Sequence, residues 1–250
     1  MEQCLLYYSG SAGPKATLAF EEDQLAMAAR GAPALVCSSF ERPVLVAGYG
    51  QAAESFDLPV CRSLGIPVLR RITGGTGVLH HQALSISLAL PSAHSWASTI
   101  GSLYDGFVES ILAALSGKGF DLERGRGHAN GPRERSPICF EDRLTESLLI
   151  GGKKVLGCAQ ARRRRSVLVH GTLLLGLDAK LQAAVFGVEE ERIARAMAAL
   201  PPESSISAEN DIARHLAGNS GLALVKAEVP PAVSPQYLAR YATDRWAPLP

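Results

Sequence analysis

Residues 151–177 run GGKKVLGCAQARRRRSVLVHGTLLLGL. Two apolar runs flank the arginines Arg162–Arg165, the pattern of two β segments joined by a charged, solvated connection. Upstream, ESLLI (146–150) reads as another β segment, broken from the next by a Gly151-Gly152 turn. Neighbouring side chains on a strand point to opposite faces, so Lys153 and Lys154 separate. Lys153 takes the solvent, whereas Lys154 opens the apolar run and lines a sheet face.

Outward from this block the chain keeps alternating between β and helical patterns. PALVCSSF (33–40) and RPVLVAGYG (42–50), separated by Glu41-Arg42, have the look of a hairpin. Residues 67–91, PVLRRITGGTGVLHHQALSISLALP, read as strand, Gly-rich turn and strand, the turn being Thr73–Gly77. A helix is predicted over 15–30, with Leu18, Leu25 and Ala28 or Ala29 on one face and Gly31 and Pro33 as the stop. A second spans 97–116, with Ile100, Leu103, Tyr104, Phe107, Ile111 and Leu115 at helical spacing, and ends at Gly117. ERGRGHANGPRERSP (123–137) reads as a mobile surface loop leading to Cys139, and the chain from about 178 onward as mostly helical. The sum is an α+β fold, a mixed or antiparallel sheet flanked by helices, in one domain spanning 1–250.

Lys plus Arg (25) nearly cancels Asp plus Glu (24), which argues against nonspecific gripping of nucleic acid. With 47% hydrophobic and 20% charged residues the chain has the balance of a soluble globular protein. The first residues lack a basic segment and an apolar core, and no apolar run approaches the roughly 20 residues of a membrane span. Five cysteines without C-x-x-C spacing indicate neither a disulfide framework nor a zinc site. A cytoplasmic protein is expected.

Arg70 and Arg71 before the glycines of 73–77 fit either an anion nest or an ordinary turn. Cys37 and Cys158 sit in contexts that suggest packing, while Cys139, in SPICFE (136–141), emerges from a polar stretch ahead of Lys154. A lysine beside a thiol favours thiolate. Arg162–Arg165 fit a solvated loop or a docking patch for an acidic partner. No spacing of His80, His81 or His170 supports a metal, leaving neutral hydrogen bonding as their role.

RRITGGTGVLHH (70–81), GGKKVLGCAQ (151–160), VLVHGTLLL (167–175) and YATDRW (241–246) occur in an order that resembles the biotin/lipoate protein ligase catalytic superfamily. In that family an Arg-Arg-x-Thr/Ser-Gly-Gly turn and a Gly-x-Lys-Val/Ile-x-Gly strand surround a tunnel for a medium-chain acyl group. The matching positions are Arg70, Arg71, Thr73, Gly74 and Gly75, then Gly152, Lys154, Val155 and Gly157. The resemblance further implies substrate contacts at Thr76, Gly77, His80, Ala159, His170 and Gly171, with no metal ligands. One departure is His81, where the family motif has an aspartate.

Cys-Phe at 139–140 is similar to the LipM-type octanoyltransferases, where lipoate ligases of the lipoate-protein ligase A kind commonly show Asn-Asp. In the LipB class the cysteine lies at the position occupied here by Val167. The resemblance therefore implies a transferase with Cys139 and Lys154 as its catalytic pair and no cofactor. It would take octanoyl, or lipoyl, from acyl carrier protein as a Cys139 thioester. The acceptor would be the lysine of a lipoyl domain, on the glycine cleavage H protein or a 2-oxoacid dehydrogenase E2. Main-chain N–H groups near Gly157–Ala159 and in the 73–77 turn would hold the oxyanion. One alternative is an ATP- and Mg-dependent lipoate ligase with Lys154 on the acyl-adenylate. Another is a noncatalytic acyl-binding protein. No C-terminal accessory domain is expected.

Overall fold

The computed structural model describes residues 2–9, 13–127, 136–200, 205–227 and 233–241. The strands are β1 (Glu2–Ser9), β2 (Ala34–Ser38), β3 (Val44–Ala47), β4 (Val68–Arg70), β5 (Val78–His80), β6 (Ala83–Pro91), β7 (Glu123–Arg124), β8 (Ser147–Ile150), β9 (Lys153–Arg162), β10 (Ser166–Leu174) and β11 (Leu222–Lys226). The helices are α1 (Pro14–Ala28), α2 (Leu58–Ser63), α3 (Ile100–Ser116), α4 (Ala179–Phe186), α5 (Glu190–Ala196), α6 (Ser205–Asn219) and α7 (Pro235–Tyr241).

Eight strands form one sheet in the order β11-β1-β2-β6-β10-β9-β8-β7, and three form a second in the order β4-β3-β5. The large sheet is mixed: β1 runs parallel to β11 and β2, and the pairs from β2–β6 to β7–β8 are antiparallel. This is the α+β fold that the patterning implied.

Strand alternation distributes the core over the two faces of the large sheet. Leu84, Ile86, Leu88 and Leu90 of β6, with Val167, Val169 and Leu173 of β10, pack with Leu103, Phe107, Ile111 and Leu115 of α3 and Ile212 and Leu216 of α6. Ala89 and Leu168 point the other way and meet Leu25 and Ala28 of α1. α3 starts on a Thr99–Ser102 capping box and its cap is Gly117. The small sheet packs with α2, α4 and α5 around a second core that includes Ile138, Phe140 and Phe186.

Four expectations change. β2 and β3 are not a hairpin: β2 lies between β1 and β6, while β3 is the centre of the small sheet. Every residue of both strands is buried, as central strands require and a hairpin with an open edge does not. The run after the Gly-rich turn is likewise two strands in two sheets, β5 and β6, joined through Gln82 at φ 50°. Ile100 lies at the start of α3 and is 60% exposed rather than on its buried face. The chain after 178 is mostly helical, as expected, and adds the strand β11, which extends β1 at the sheet margin. Within the segment expected to be a loop, Glu123–Arg124 form β7 and Gly127 bridges Leu144; residues 128–135 lie outside those described, as do residues 242–246 of YATDRW.

Candidate active site

Gly77 ends the Gly-rich turn and forms a parallel bridge with Ile138. Its N–H donates to the Pro137 carbonyl at 3.1 Å, and its own carbonyl accepts from the Cys139 N–H at 3.1 Å. A Cβ at Gly77 would lie 2.4 Å from the Phe56 ring, so a side chain here would push the turn off the cysteine segment. Two motifs distant in sequence are thus joined through main-chain hydrogen bonds.

Cys139 heads a short 3-10 turn, Cys139–Glu141. Glu141 accepts from Arg192 Nε at 2.5 Å and Nη2 at 2.8 Å, pinning the turn to α5. The Arg192 hydrogen bonds hold the Glu141 carboxyl below the usual carboxylate range.

Lys154 is 2% exposed. Its Nζ donates to the Cys139 carbonyl at 2.9 Å and the Asp142 carbonyl at 2.8 Å, and lies 5.5 Å from the centre of the Phe140 ring. Among the described residues it makes no ion pair. A buried ammonium held only by carbonyls has a strong affinity for an anion. A Cβ on Gly157 would lie 3.2 Å from Lys154 Nζ and 3.5 Å from Cys139 Sγ. Ammonium and thiol therefore converge on a space that only glycine leaves open.

Arg71 serves the Gly-rich turn, and Arg70 the segment that follows β3. Arg71, buried, donates from Nη2 to the Gly74 and Thr76 carbonyls at 2.8 and 2.9 Å. Arg70 Nη1 donates to the carbonyls of Gly48, Tyr49 and Gln51 at 2.7–2.8 Å. These donors brace main chain, where an anion nest would leave them open. Arg71 still borders the inner cavity and lies within electrostatic reach of Cys139.

Thr73 Oγ1 lies 2.8 Å from His170 Nε2, and His170 Nδ1 lies 2.7 Å from Glu21 Oε1. Glu21 Oε2 is buried and has no hydrogen-bond partner among the described residues. The sequence reading missed Glu21, although a carboxylate three residues after Leu18 and four before Leu25 shares their helical face. Burial, reinforced by the Arg71 charge and by His170, pushes His80 down to about 3, so it is neutral and hydrogen-bonds Ser85 Oγ at 3.0 Å.

Cys139 stands between two spaces. Outside is a cleft of about 440 Å³ bordered by Gly74–Thr76, Ile100, Tyr104, Glu146 and Lys154. Inside, between the two sheets and α1, is a cavity of about 30 Å³ reached by His80, Gly157, Ala159, His170 and Gly171. Cys139, Cys158 and Ala159 border both. The cleft opens where β8, paired with β9 only from Lys153 to Gly157, stops covering the β9 edge. A strand edge presents main-chain N–H groups at every second residue. Of the oxyanion donors expected in the 73–77 turn, that of Gly77 is spent on Pro137.

At the β9–β10 connection only Arg163, Arg164 and Arg165 are exposed. Arg162 is half-buried and reaches back to the Ala97 and Thr99 carbonyls before α3, which removes it from the expected docking patch. No group of three or more His, Cys, Asp or Glu suited to a metal occurs among the described residues. No helix among them is long and apolar enough to cross a membrane.

Residues 14–216 match the family described as "Lipoyl protein ligase A/B catalytic domain". The chain belongs to this family. It is 30% identical over 196 residues to octanoyltransferase LipM of Anoxybacillus flavithermus, covering 74% of this chain and 70% of that one. It is 36% identical over 150 residues to octanoyltransferase LipM of Carboxydothermus hydrogenoformans, covering 59% and 55%. Among solved structures, lipoate-protein ligase A bound with ATP superimposes with a TM-score of 0.78 at 22% identity over 98% of each chain. A bi-partite lipoate protein ligase of Thermoplasma acidophilum, determined with its E2 lipoyl domain, gives 0.73 at 22% over 99% of this chain and 96% of that one. These likenesses carry the lipoate-ligase fold onto this chain.

Proposed function

We propose that this protein is an octanoyltransferase of protein lipoylation that works through a Cys139 thioester. The observation that carries it is the buried Lys154 ammonium, without an ion pair among the described residues, sharing the Gly157 gap with the Cys139 thiol. Ionising that thiol supplies the missing counter-ion, and a thiolate is the attacking form. The LipM relatives support the same chemistry.

Cys139 thiolate attacks the carbonyl of an acyl-carrier thioester, giving a tetrahedral oxyanion between the free β9 edge and the Gly-rich turn. The carrier C–S bond then breaks and the carrier thiolate leaves, taking a proton. In the second half a neutral lysine amine attacks the Cys139 thioester, the C–S bond breaks, and the amine proton passes to the departing sulfur. Atoms balance without ATP. An acidic carrier fits the exposed Arg163–Arg165, which follow Gln160 of the cleft rim along the chain. A lipoyl-domain lysine fits as acceptor, in keeping with the E2 lipoyl domain accompanying the Thermoplasma ligase.

Incubation with octanoyl-acyl carrier protein, without ATP, followed by intact mass, is the test. A hydroxylamine-sensitive octanoyl adduct is expected, absent from Cys139→Ser. Modification of a lipoyl domain that requires ATP and survives Cys139→Ser would assign a ligase instead. Acyl binding without transfer would leave the noncatalytic reading.

A further inference from the structure

Transfer to a lysine requires a proton to be removed first. An amine with an ordinary pKa of about 10.4 arrives as an ammonium at neutral pH, and only its neutral form attacks a thioester. The outer cleft already holds the Lys154 ammonium, so a second positive charge is repelled there unless a carboxylate receives it.

Few groups bordering the cleft can take that proton. Burial, reinforced by the Glu146 charge, raises the Tyr104 hydroxyl well above the ordinary phenol range, and burial raises the Cys158 thiol, so both stay protonated. Lys154 spends its Nζ on the Cys139 and Asp142 carbonyls. His80 and His170 line the inner cavity, and among the described residues no histidine borders the cleft. That leaves the carboxylates of Asp142 and Glu146.

Asp142 belongs to the Lys154 cradle through its carbonyl, whereas the Glu146 charge reaches both Tyr104 and Cys158. Glu146 is half-buried just before β8, and the next residue, Ser147, pairs with Gly157, where Lys154 and Cys139 converge. Its carboxylate accepts from Thr145 Oγ1 at 3.3 Å and makes no ion pair among the described residues. Arg124, which donates to the Thr145 carbonyl, is committed to Asp105 and Glu109. The carboxylate is thus available to an ammonium arriving through the cleft.

We infer that Glu146 is a further catalytic residue of this site, receiving the acceptor ammonium and taking its proton. This rests on the thioester reading above. Glu146 accepts one proton, and the neutral amine attacks the carbonyl carbon of the Cys139 thioester. The C–N bond forms, the C–S bond breaks, and one of the two protons left on nitrogen passes to the departing sulfur. Glu146 then loses its proton to water.

The test separates the two half-reactions. The octanoyl adducts of wild type and Glu146→Gln are isolated and mixed with an unmodified E2 lipoyl domain from about pH 7 to about pH 9, with transfer read by intact mass. Glu146→Gln is expected to slow transfer about 10²-fold at pH 7, its rate then climbing about tenfold per pH unit while that of the wild type changes little. Hydroxylamine, uncharged at pH 7, should cleave both adducts at equal rates, and Glu146→Asp should restore part of the transfer. Equal transfer rates or parallel pH profiles in wild type and Glu146→Gln overturn the proposal, as does a greater loss in Asp142→Asn. If the wild type forms no adduct, the transferase reading fails. In that case, or if only the variant forms none, calorimetry with the lipoyl domain decides Glu146. Binding about tenfold weaker to Glu146→Gln, with no such difference once the target lysine is acetylated, supports the assignment, and any other result overturns it.

Discussion

Cys139 and Cys158 border the same two spaces, both largely buried, yet the fold treats them differently. Cys158 is a residue of β9, paired opposite Gly171 of β10, and burial pushes its thiol well above the ordinary range. Cys139 sits on a turn gripped from three sides: Gly77 by main chain, Arg192 through Glu141, and Lys154 through its carbonyl. A strand sets a side chain by its register. A turn tied at several points can set one against a chosen charge. Reactivity is therefore assigned to the cysteine that needs the more elaborate support.

The largest break between the two is expected from serine replacement: Cys139→Ser should reduce acyl transfer by on the order of 10³-fold or more. The same exchange at Cys158 should leave adduct formation in place.

Lys154→Met comes next. It removes the ammonium while nearly keeping the side-chain length, and bares the Cys139 and Asp142 carbonyls. Thioester formation should fall by about 10²–10³-fold, and the two orphaned acceptors should cost about 1–3 kcal/mol each in chemical denaturation. An adduct rate within a few-fold of wild type would detach Lys154 from the thiol. Gly157→Ala is gentler. Its methyl would stand 2.9 Å from Lys154 Cε, a flexible end that can move aside, so a loss of about tenfold in transfer is expected, with about 1–3 kcal/mol of stability.

Much of this was legible in the sequence, and the boundary is physical. Alternation across 147–174 gave three adjacent strands of the large sheet, and the 3.6-residue period gave α1 and α3, because these patterns reflect faces buried locally. β2 and β3 were misjoined because a run buried on both faces does not say which sheet buries it. The short β7 and β11 depend on partners far along the chain. At the site the motifs named Cys139, Lys154, Gly157, Ala159, Gly77 and His170 as candidates, and the fold brings them together, a proximity that spacing alone does not give. The employment of Arg70 and Arg71 on carbonyls was not visible, since composition shows a charge and only geometry shows what spends it. Glu21 was hidden for the same reason, since its partner His170 lies far along the chain.

The smallest effect is expected at the strand cysteine. Cys158→Ala trims a partly packed side chain and should cost about 1 kcal/mol, read from the denaturation midpoint, with adduct formation unchanged. Its thiol offers a second reading in the wild type. The thiolate is the alkylated form, so a raised pKa leaves Cys158 protonated through the neutral range and into the alkaline range where a free cysteine has already ionised. Iodoacetamide labelling resolved by peptide mass should show Cys158 lagging at pH 7, its rate rising about tenfold per pH unit as pH is raised toward the thiol pKa. Labelling of Cys158 at pH 7 as fast as a free thiol would mean that burial does not separate the two cysteines, and the preference for Cys139 would then rest on Lys154 alone.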